Sequence, residues 1–262
     1  MADPQSFQQS INWLALIVGP FLGVFGAFTL ARIVDASKNF KAKLVAANLS
    51  LLTLKNQTNE FILFRKAFLE DVSRNCYTGN EPLWALIRPS FIVFGEHKFD
   101  FKAIGFLLEK AGNGSVLDAI ELVQMSHRDL IAINNLRTEN AKIVQEKILE
   151  YQRLNMPINW TDAENHVGEN LTALLSMVAV GMGLRADRNE KVYLDAFNNL
   201  REAFVKDLDS YYVYWLTKIF TFGQIKPRYQ LVSMDIHKPE FEKKSLPAMP
   251  KVLAFEVAKI PV

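Results

Sequence analysis

The sequence predicts an all-α protein in which a single N-terminal transmembrane helix continues as a long cytoplasmic helix, followed by an elongated bundle of about four helices and an irregular C-terminal tail. Three observations predict this fold class. The stretch 11–31 is predominantly apolar and uncharged, and roughly 20 such residues are enough to cross a bilayer. An apolar repeat with helical spacing follows it directly. Glycine and proline are sparse and cluster at a few positions, which predicts long helices between them.

The predicted membrane span occupies residues 11–34, after a short N-terminus at 1–10. No ionisable residue lies between Asp3 and Arg32. The N-terminus carries no lysine or arginine, whereas basic residues follow the span at Arg32, Lys38, Lys41 and Lys43. Because the positively charged flank normally stays in the cytoplasm, we expect the N-terminus outside the plasma membrane and the rest of the chain inside. A cleaved signal peptide is the alternative, but it would need a basic leader.

Small residues recur every four positions within the span, at Gly19, Gly23, Ala27 and Ala31. This spacing places them on one helix face, where small side chains allow a second helix to approach closely. We therefore predict self-association through this face. The alternative is that glycine and alanine are simply frequent in membrane helices.

An apolar seam with alternating steps of three and four continues past the membrane boundary. Its members are Leu30, Ile33, Ser37, Phe40, Leu44, Ala47, Leu51, Leu54, Thr58, Phe61, Arg65, Phe68 and Val72. Because no glycine or proline interrupts the seam, we predict one helix that runs from the membrane to about Asn75. The seam indicates either a coiled coil that pairs subunits or the inner face of a helical bundle within one chain. Further apolar residues, such as Val45 and Leu52, widen the stripe and favour the bundle.

The rest of the predicted cytoplasmic bundle, 35–222, is divided by caps and helix breakers. The further helices are expected at 101–110, at 115–156, from a capping box of Thr161 and Glu164 through the apolar run 171–184, and at 188–222. The tail, 223–262, contains five prolines. Since proline excludes a long helix, short strands or an extended segment lying on the bundle are the expected structure there.

Composition excludes several classes of function. The net charge is +2, which gives no electrostatic footprint for nucleic acid. The single cysteine, Cys76, excludes an intrachain disulfide and a cysteine-rich metal site, and it suits a reducing cytoplasm. The overall composition fits a bacterial inner-membrane protein.

One string matches the spacing of a protein-kinase catalytic loop, H-R-D-L-x-x-x-N, with residues His127, Arg128, Asp129, Leu130 and Asn134. The other kinase motifs are absent in the required order. The string also lies in the middle of a predicted helix rather than in a loop. We interpret its charged residues as a solvated helix face.

The other candidate for chemistry is Asp162, His166 and Glu169. At steps of four and three on one helix, two carboxylates and an imidazole would share a face that could bind a metal or transfer a proton. The alternative is that acidic residues are favoured in the first turn of a helix by its dipole. No Glu-x-x-His motif accompanies any histidine, so no metal or cofactor is expected.

The sequence therefore predicts a non-enzymatic, single-pass membrane-anchored scaffold, sensor or effector, a class that includes bacterial stress and phage-defence accessories. We expect it to act by self-association and by docking an unidentified cytoplasmic protein. The expected partners are the lipid bilayer, further copies of the chain and that protein, without nucleic acid. The alternative is a membrane-tethered enzyme with a polar or metal site on the helix around His166.

Overall fold

The structure is a computed structural model that describes residues 4–74, 82–86, 94–109, 113–154, 159–209 and 229–234. All regular secondary structure in these ranges is helical, which confirms the all-α class. The helices are α1 (Pro4–Arg74), α2 (Leu83–Leu86), a 3-10 turn (Gly105–Glu109), α3 (Gly114–Leu154), α4 (Trp160–Val167) and α5 (Glu169–Asp209).

Helix α1 is one continuous helix of 71 residues, as the unbroken seam predicts, with Pro20 in its interior. Within the described part of the chain, α1 is the one helix that is long and apolar enough by itself to cross a membrane. Its apolar window lies near the N-terminus and is not buried. Helices α4 and α5 meet the same criteria only when they are joined across a bend of 107°.

From Glu169 onward the predicted helices at 161–184 and 188–222 are one helix, α5, so the prediction of a break near residue 185 is wrong. The break lies instead at Gly168, inside the first of the two predicted helices, and separates α4 from α5. Gly181 and Gly183 lie inside α5. A glycine in a helix costs about 1 kcal/mol relative to alanine. Buried neighbours on the same helix, including Ala179 and Met182, offset this cost by removing apolar surface from water. The predicted end of this helix, 210–222, lies outside the described residues.

The prediction of an α-helix at 101–110 is also wrong, because this segment forms a turn and a short 3-10 helix. The Asp100 carboxylate accepts hydrogen bonds from the backbone N–H groups of Lys102 (2.9 Å) and Ala103 (3.2 Å). Such a local side-chain bond stabilises a turn in competition with a helix. The chain therefore forms a turn, followed only by the short 3-10 segment Gly105–Glu109.

The N-cap of helix α4 lies two residues earlier than predicted, and the helix ends abruptly. The side chain of Asn159, rather than Thr161, caps its N-terminus by accepting from the Thr161 N–H at 3.1 Å. At its C-terminus Gly168 has φ 104°, a backbone conformation that glycine adopts without a Cβ clash. The Gly168 N–H donates to the Glu164 carbonyl at 2.9 Å, and α5 starts at the next residue in a new direction.

The chain divides into two compact units. The first contains Met1–Asn48 and Phe204–Leu231. In this unit the Lys43 ammonium lies 3.3 Å from the Asp207 carboxylate, and the Tyr229 hydroxyl donates to Asp209 at 2.7 Å. The Asn48 side chain donates to the backbone carbonyl of Gln230 at 3.2 Å. These contacts join the N-terminal helix to the end of α5 and to the segment after it.

The second unit contains Leu49–Ala203 and Val232–Val262, and it holds the larger core. The predicted seam is buried here, and its members are Leu51, Leu54, Thr58, Phe61, Phe68 and Val72. Buried residues from α3 and α5 complete the core, among them Ile120, Val123, Leu130, Tyr193, Phe197 and Leu200. Over Leu51 to Val72 the seam is therefore the inner face of a bundle within one chain, as the second interpretation predicts.

The described part of the tail, 229–234, has no regular secondary structure. In the second unit the Lys55 ammonium donates to the Ser233 carbonyl at 3.0 Å, and no strand occurs in 229–234. The remaining tail segments, 223–228 and 235–262, lie outside the described residues.

Candidate functional site

A cluster of ionisable side chains lies inside the second unit, where α1, α3 and the segment 94–100 meet. Glu60 Oε1 accepts from the Gly95 N–H at 2.9 Å and lies 2.9 Å from His97 Nε2. Glu60 Oε2 is 3.4 Å from His127 Nε2. One carboxylate of α1 therefore contacts a histidine of the loop and a histidine of α3.

His127 is the most buried member of the cluster, with 3% of its surface exposed. Burial lowers the pKa of His127 below its usual 6.5, and His97 acts in the same direction. The Glu60 carboxylate and the Gly95 backbone oppose this shift. The ring lies close to the Gly95 backbone and places Nε2 3.4 Å from Glu60 Oε2, but in the described part of the chain neither ring nitrogen meets the geometry of a hydrogen bond.

Two glutamines position the loop beside this cluster. The buried amides of Gln57 and Gln124 bond to each other twice, at 3.0 and 2.7 Å. Gln57 also donates to the His97 carbonyl at 2.8 Å. Because a buried amide without partners would be costly, this reciprocal pair holds α1, α3 and the loop in one arrangement.

Helix α5 contributes Tyr193, whose ring stacks on Phe61 with centroids 4.8 Å apart and an interplanar angle of 12°. Burial raises the pKa of Tyr193, and the negative charge of Glu60 raises it further. The Tyr193 hydroxyl has no hydrogen-bond partner in the described part of the chain. Glu60 of α1 thus lies near ionisable side chains from α3, α5 and the loop.

A pocket of about 760 Å³ opens beside the cluster. It is lined by Gln57 of α1, by Gly95, Glu96, His97, Lys98, Phe99 and Phe101 of the loop, and by Gln124, His127, Arg128, Ile131, Ala132 and Asn135 of α3. The volume falls in the range of small-molecule sites, roughly 300–1,000 Å³. The buried histidine therefore borders a space that a ligand can enter.

The predicted site at Asp162, His166 and Glu169 is not brought together on one helix face. Gly168 ends α4, so Glu169 belongs to α5 beyond the bend. Asp162 accepts from Asn159 at 2.8 Å, and all three predicted residues are exposed. No group of three or more described His, Cys, Asp or Glu side chains has a geometry that could hold a metal ion.

The kinase-like string lies in the middle of α3, where Arg128 and Asp129 are exposed. The exposure of Arg128 and Asp129 agrees with the interpretation of the charged residues as a solvated face, whereas the ionisable His127 is buried, as is the uncharged Asn134. The sequence pattern does indicate that His127 is buried. His127 lies in the series of buried positions 120, 123, 127, 130, 134 and 137, spaced by three and four.

The small residues of the predicted membrane face are open to their surroundings. A Cβ atom added at Gly19 or Gly23 would meet no atom within 4 Å, and Ala27 and Ala31 are exposed. The self-association face is thus free of intrachain contacts at its two glycines. Whether another helix occupies it stays a prediction.

Comparison of the chain with protein-family models, with curated proteins and with solved structures finds no match.

Replacing His127 with glutamine is expected to make the stability of the fold less sensitive to acid. Because the pKa of His127 is lowered in the folded state, the unfolded chain takes up the proton first as the pH falls below 6.5. The contribution of His127 to the free energy of unfolding is thus fully present above pH 6.5. It is lost as the pH falls towards the lower folded pKa, by up to about 1.4 kcal/mol per pH unit for one proton.

The measurement is the free energy of urea unfolding of the full-length protein in detergent at pH 7.5 and pH 5.5. The His127→Gln variant should lose less stability between these two values than the wild type. The exposed His166 supplies a matched control, His166→Gln, which should behave like the wild type. An unchanged pH dependence in His127→Gln would contradict the assignment of this proton to His127.

Proposed function

We propose that this chain is a single-pass membrane-anchored helical scaffold, sensor or effector that acts by self-association and by docking a protein partner. The observation that carries the proposal is the exposure of an apolar helix on all sides. Every residue from 18 to 35 is exposed, including Phe21 (76%) and Phe25 (69%). In water each such side chain would forgo about 1.5–3 kcal/mol of burial energy. A bilayer removes this cost, and a helix can span it because its backbone N–H and C=O groups form hydrogen bonds with each other.

The charges after the span support an orientation with the N-terminus outside. Arg32 places its guanidinium 4.8 Å from the Phe28 ring centroid, and Lys38 and Lys41 follow on the same helix. An arginine over an aromatic ring suits the membrane interface, where apolar and charged groups meet. By the positive-inside rule, the proposed location is the bacterial inner membrane with the helical domain in the cytoplasm.

Two features support self-association and docking. In the first unit, the open faces of Gly19 and Gly23 would allow close approach of a second helix in lipid. In the second unit, α1 exposes Leu49, Leu52 and Leu63 on the side opposite its buried seam. Apolar side chains exposed at helical spacing form a surface suited to another protein.

The test is the mass of the full-length protein extracted from membranes with detergent, with the double variant Gly19→Leu and Gly23→Leu. We expect an oligomer for the wild type and a monomer for the variant. Neither glycine has a neighbour within 4 Å that leucine would displace, so the fold of the single chain should persist. The matched control is Phe25→Leu, since Phe25 lies on the opposite side of a helix with 3.6 residues per turn.

Three results would contradict the proposal. Recovery of the protein in the soluble fraction would contradict membrane anchoring. A monomeric wild type would contradict self-association. An oligomer that persists in the double variant would show that another surface holds the subunits together.

A further inference from the structure

The pocket beside His127 has the size and lining of a small-molecule site that is independent of the proposed anchoring and self-association. All of its residues belong to the second unit. Its buried end is formed by Gln57, Gln124 and His127, and its outer wall by the loop segment 95–101. Ligand pockets typically combine an apolar lining with a few converging polar groups, and this pocket contains both.

The polar groups at the buried end of the pocket face the protein itself. The amides of Gln57 and Gln124 are occupied with each other and with the His97 carbonyl. His127 is 3% exposed, and both of its ring nitrogens are buried, with Nε2 3.4 Å from Glu60 Oε2. The polar contacts of a ligand must therefore come from the outer part of the pocket.

The charges at the rim favour a single negative group. Glu96 and Lys98 form an exposed ion pair at 3.4 Å and largely cancel. Arg128 lines the same pocket, is exposed, and has no acidic partner among the described residues. A guanidinium binds a carboxylate through two parallel hydrogen bonds. One guanidinium matches one negative charge, whereas a phosphate dianion would leave a second charge without a partner.

The wall of the pocket favours a flat apolar ring. Phe99 and Phe101 stand with their ring centroids 5.0 Å apart at an angle of 59°, and both line the pocket. Phe101 is exposed although it is a large apolar residue. Ile131 and Ala132 of α3 add further apolar surface to the pocket. A third ring against this pair adds an aromatic contact of about 0.5–1.5 kcal/mol beyond its burial.

We propose that this pocket binds a small aromatic monocarboxylate. Arg128 holds the carboxylate, and Phe99 and Phe101 contact the ring. The ligand would join the loop 95–101 to α3, the two elements that line most of the pocket.

The experiment is calorimetric titration of the full-length protein in detergent with three probes: 6-hydroxy-2-naphthoate, the matching 6-hydroxy-2-naphthamide, and inorganic phosphate. The naphthoate is expected to bind at least about tenfold more tightly than the amide and than phosphate, since a charged hydrogen bond contributes about 1.5–3 kcal/mol. Equal binding of acid and amide, tighter binding of phosphate, or no binding of the naphthoate would each overturn the proposal.

Two variants test whether the ligand binds in this pocket. Arg128→Gln should lose the preference for the acid over the amide, and Arg201→Gln supplies a matched change of charge at an exposed arginine that does not line the pocket. Ala132→Trp should fill the pocket and weaken binding of the naphthoate and the amide alike. Since Arg128 and Ala132 are exposed, both variants should keep the thermal midpoint of the wild type. Wild-type affinity in Arg128→Gln or Ala132→Trp would overturn the assignment.

Discussion

Replacing Phe61 with alanine should lower the free energy of unfolding by about 3–5 kcal/mol, as expected for a fully buried phenylalanine. Phe61 has no exposed surface and stacks on Tyr193 with centroids 4.8 Å apart. The loss combines the burial energy of the ring, the aromatic contact, and a cavity that the helices cannot close completely. The measurement is urea unfolding of the full-length protein in detergent.

The matched control for Phe61 is a large apolar residue that is exposed in the same unit. Leu122 on α3 is half exposed, so Leu122→Ala should change the free energy of unfolding by no more than about 0.5 kcal/mol. A similarly small loss for Phe61→Ala would contradict the assignment of the seam as the inner face of the bundle. It would instead fit a seam that another subunit covers.

Phe61 also shows why α1 could be predicted from sequence. It lies in a long series of mainly apolar positions spaced by three and four, and no glycine or proline competes with the helix between Ala27 and Arg74. The local spacing of apolar residues was therefore sufficient to predict helix α1. It failed at Gly181 and Gly183, which suggested a break, because the burial that stabilises α5 at these glycines comes from tertiary packing.

The candidate site could not be predicted in the same way. Glu60, His97 and His127 are separated by 37 and 30 positions, and only the fold brings them together. Helical spacing marks His127 as a buried position but not its neighbours. The predicted set around His166 failed for a local reason, since Gly168 takes a positive φ and turns the chain before Glu169.

Replacing Arg137 with methionine should destabilise the second unit by about 3–5 kcal/mol, the range found when one member of a buried charged pair is removed. Arg137 is 4% exposed, and its Nη2 donates to the Trp84 carbonyl at 3.1 Å. Burial lowers the pKa of Arg137 to about 10, and the negative charge of Asp71 opposes this shift. At neutral pH the guanidinium is thus charged and faces a buried carboxylate.

The double variant Arg137→Met and Asp71→Leu separates the electrostatic loss from the loss of packing. If the loss comes from a buried carboxylate that no longer faces a positive charge, removing that carboxylate should restore part of the stability. A double variant that is as unstable as the sum of the two single variants would contradict this interpretation. Urea unfolding of all four proteins at pH 7.5 gives the comparison.

The contacts of Trp84 determine which helices should lose stability when Arg137 is replaced. The backbone carbonyl of Trp84 accepts from Arg137 of α3, and its indole N–H donates to Glu164 of α4 at 3.3 Å. Its buried ring also meets Trp160 edge-on, with centroids 6.3 Å apart. Because Trp84 connects to α3 and α4 at once, Arg137→Met should increase amide hydrogen exchange in α4 as well as around Trp84. Increased exchange confined to α3 would show that Arg137 stabilises its own helix rather than this connection.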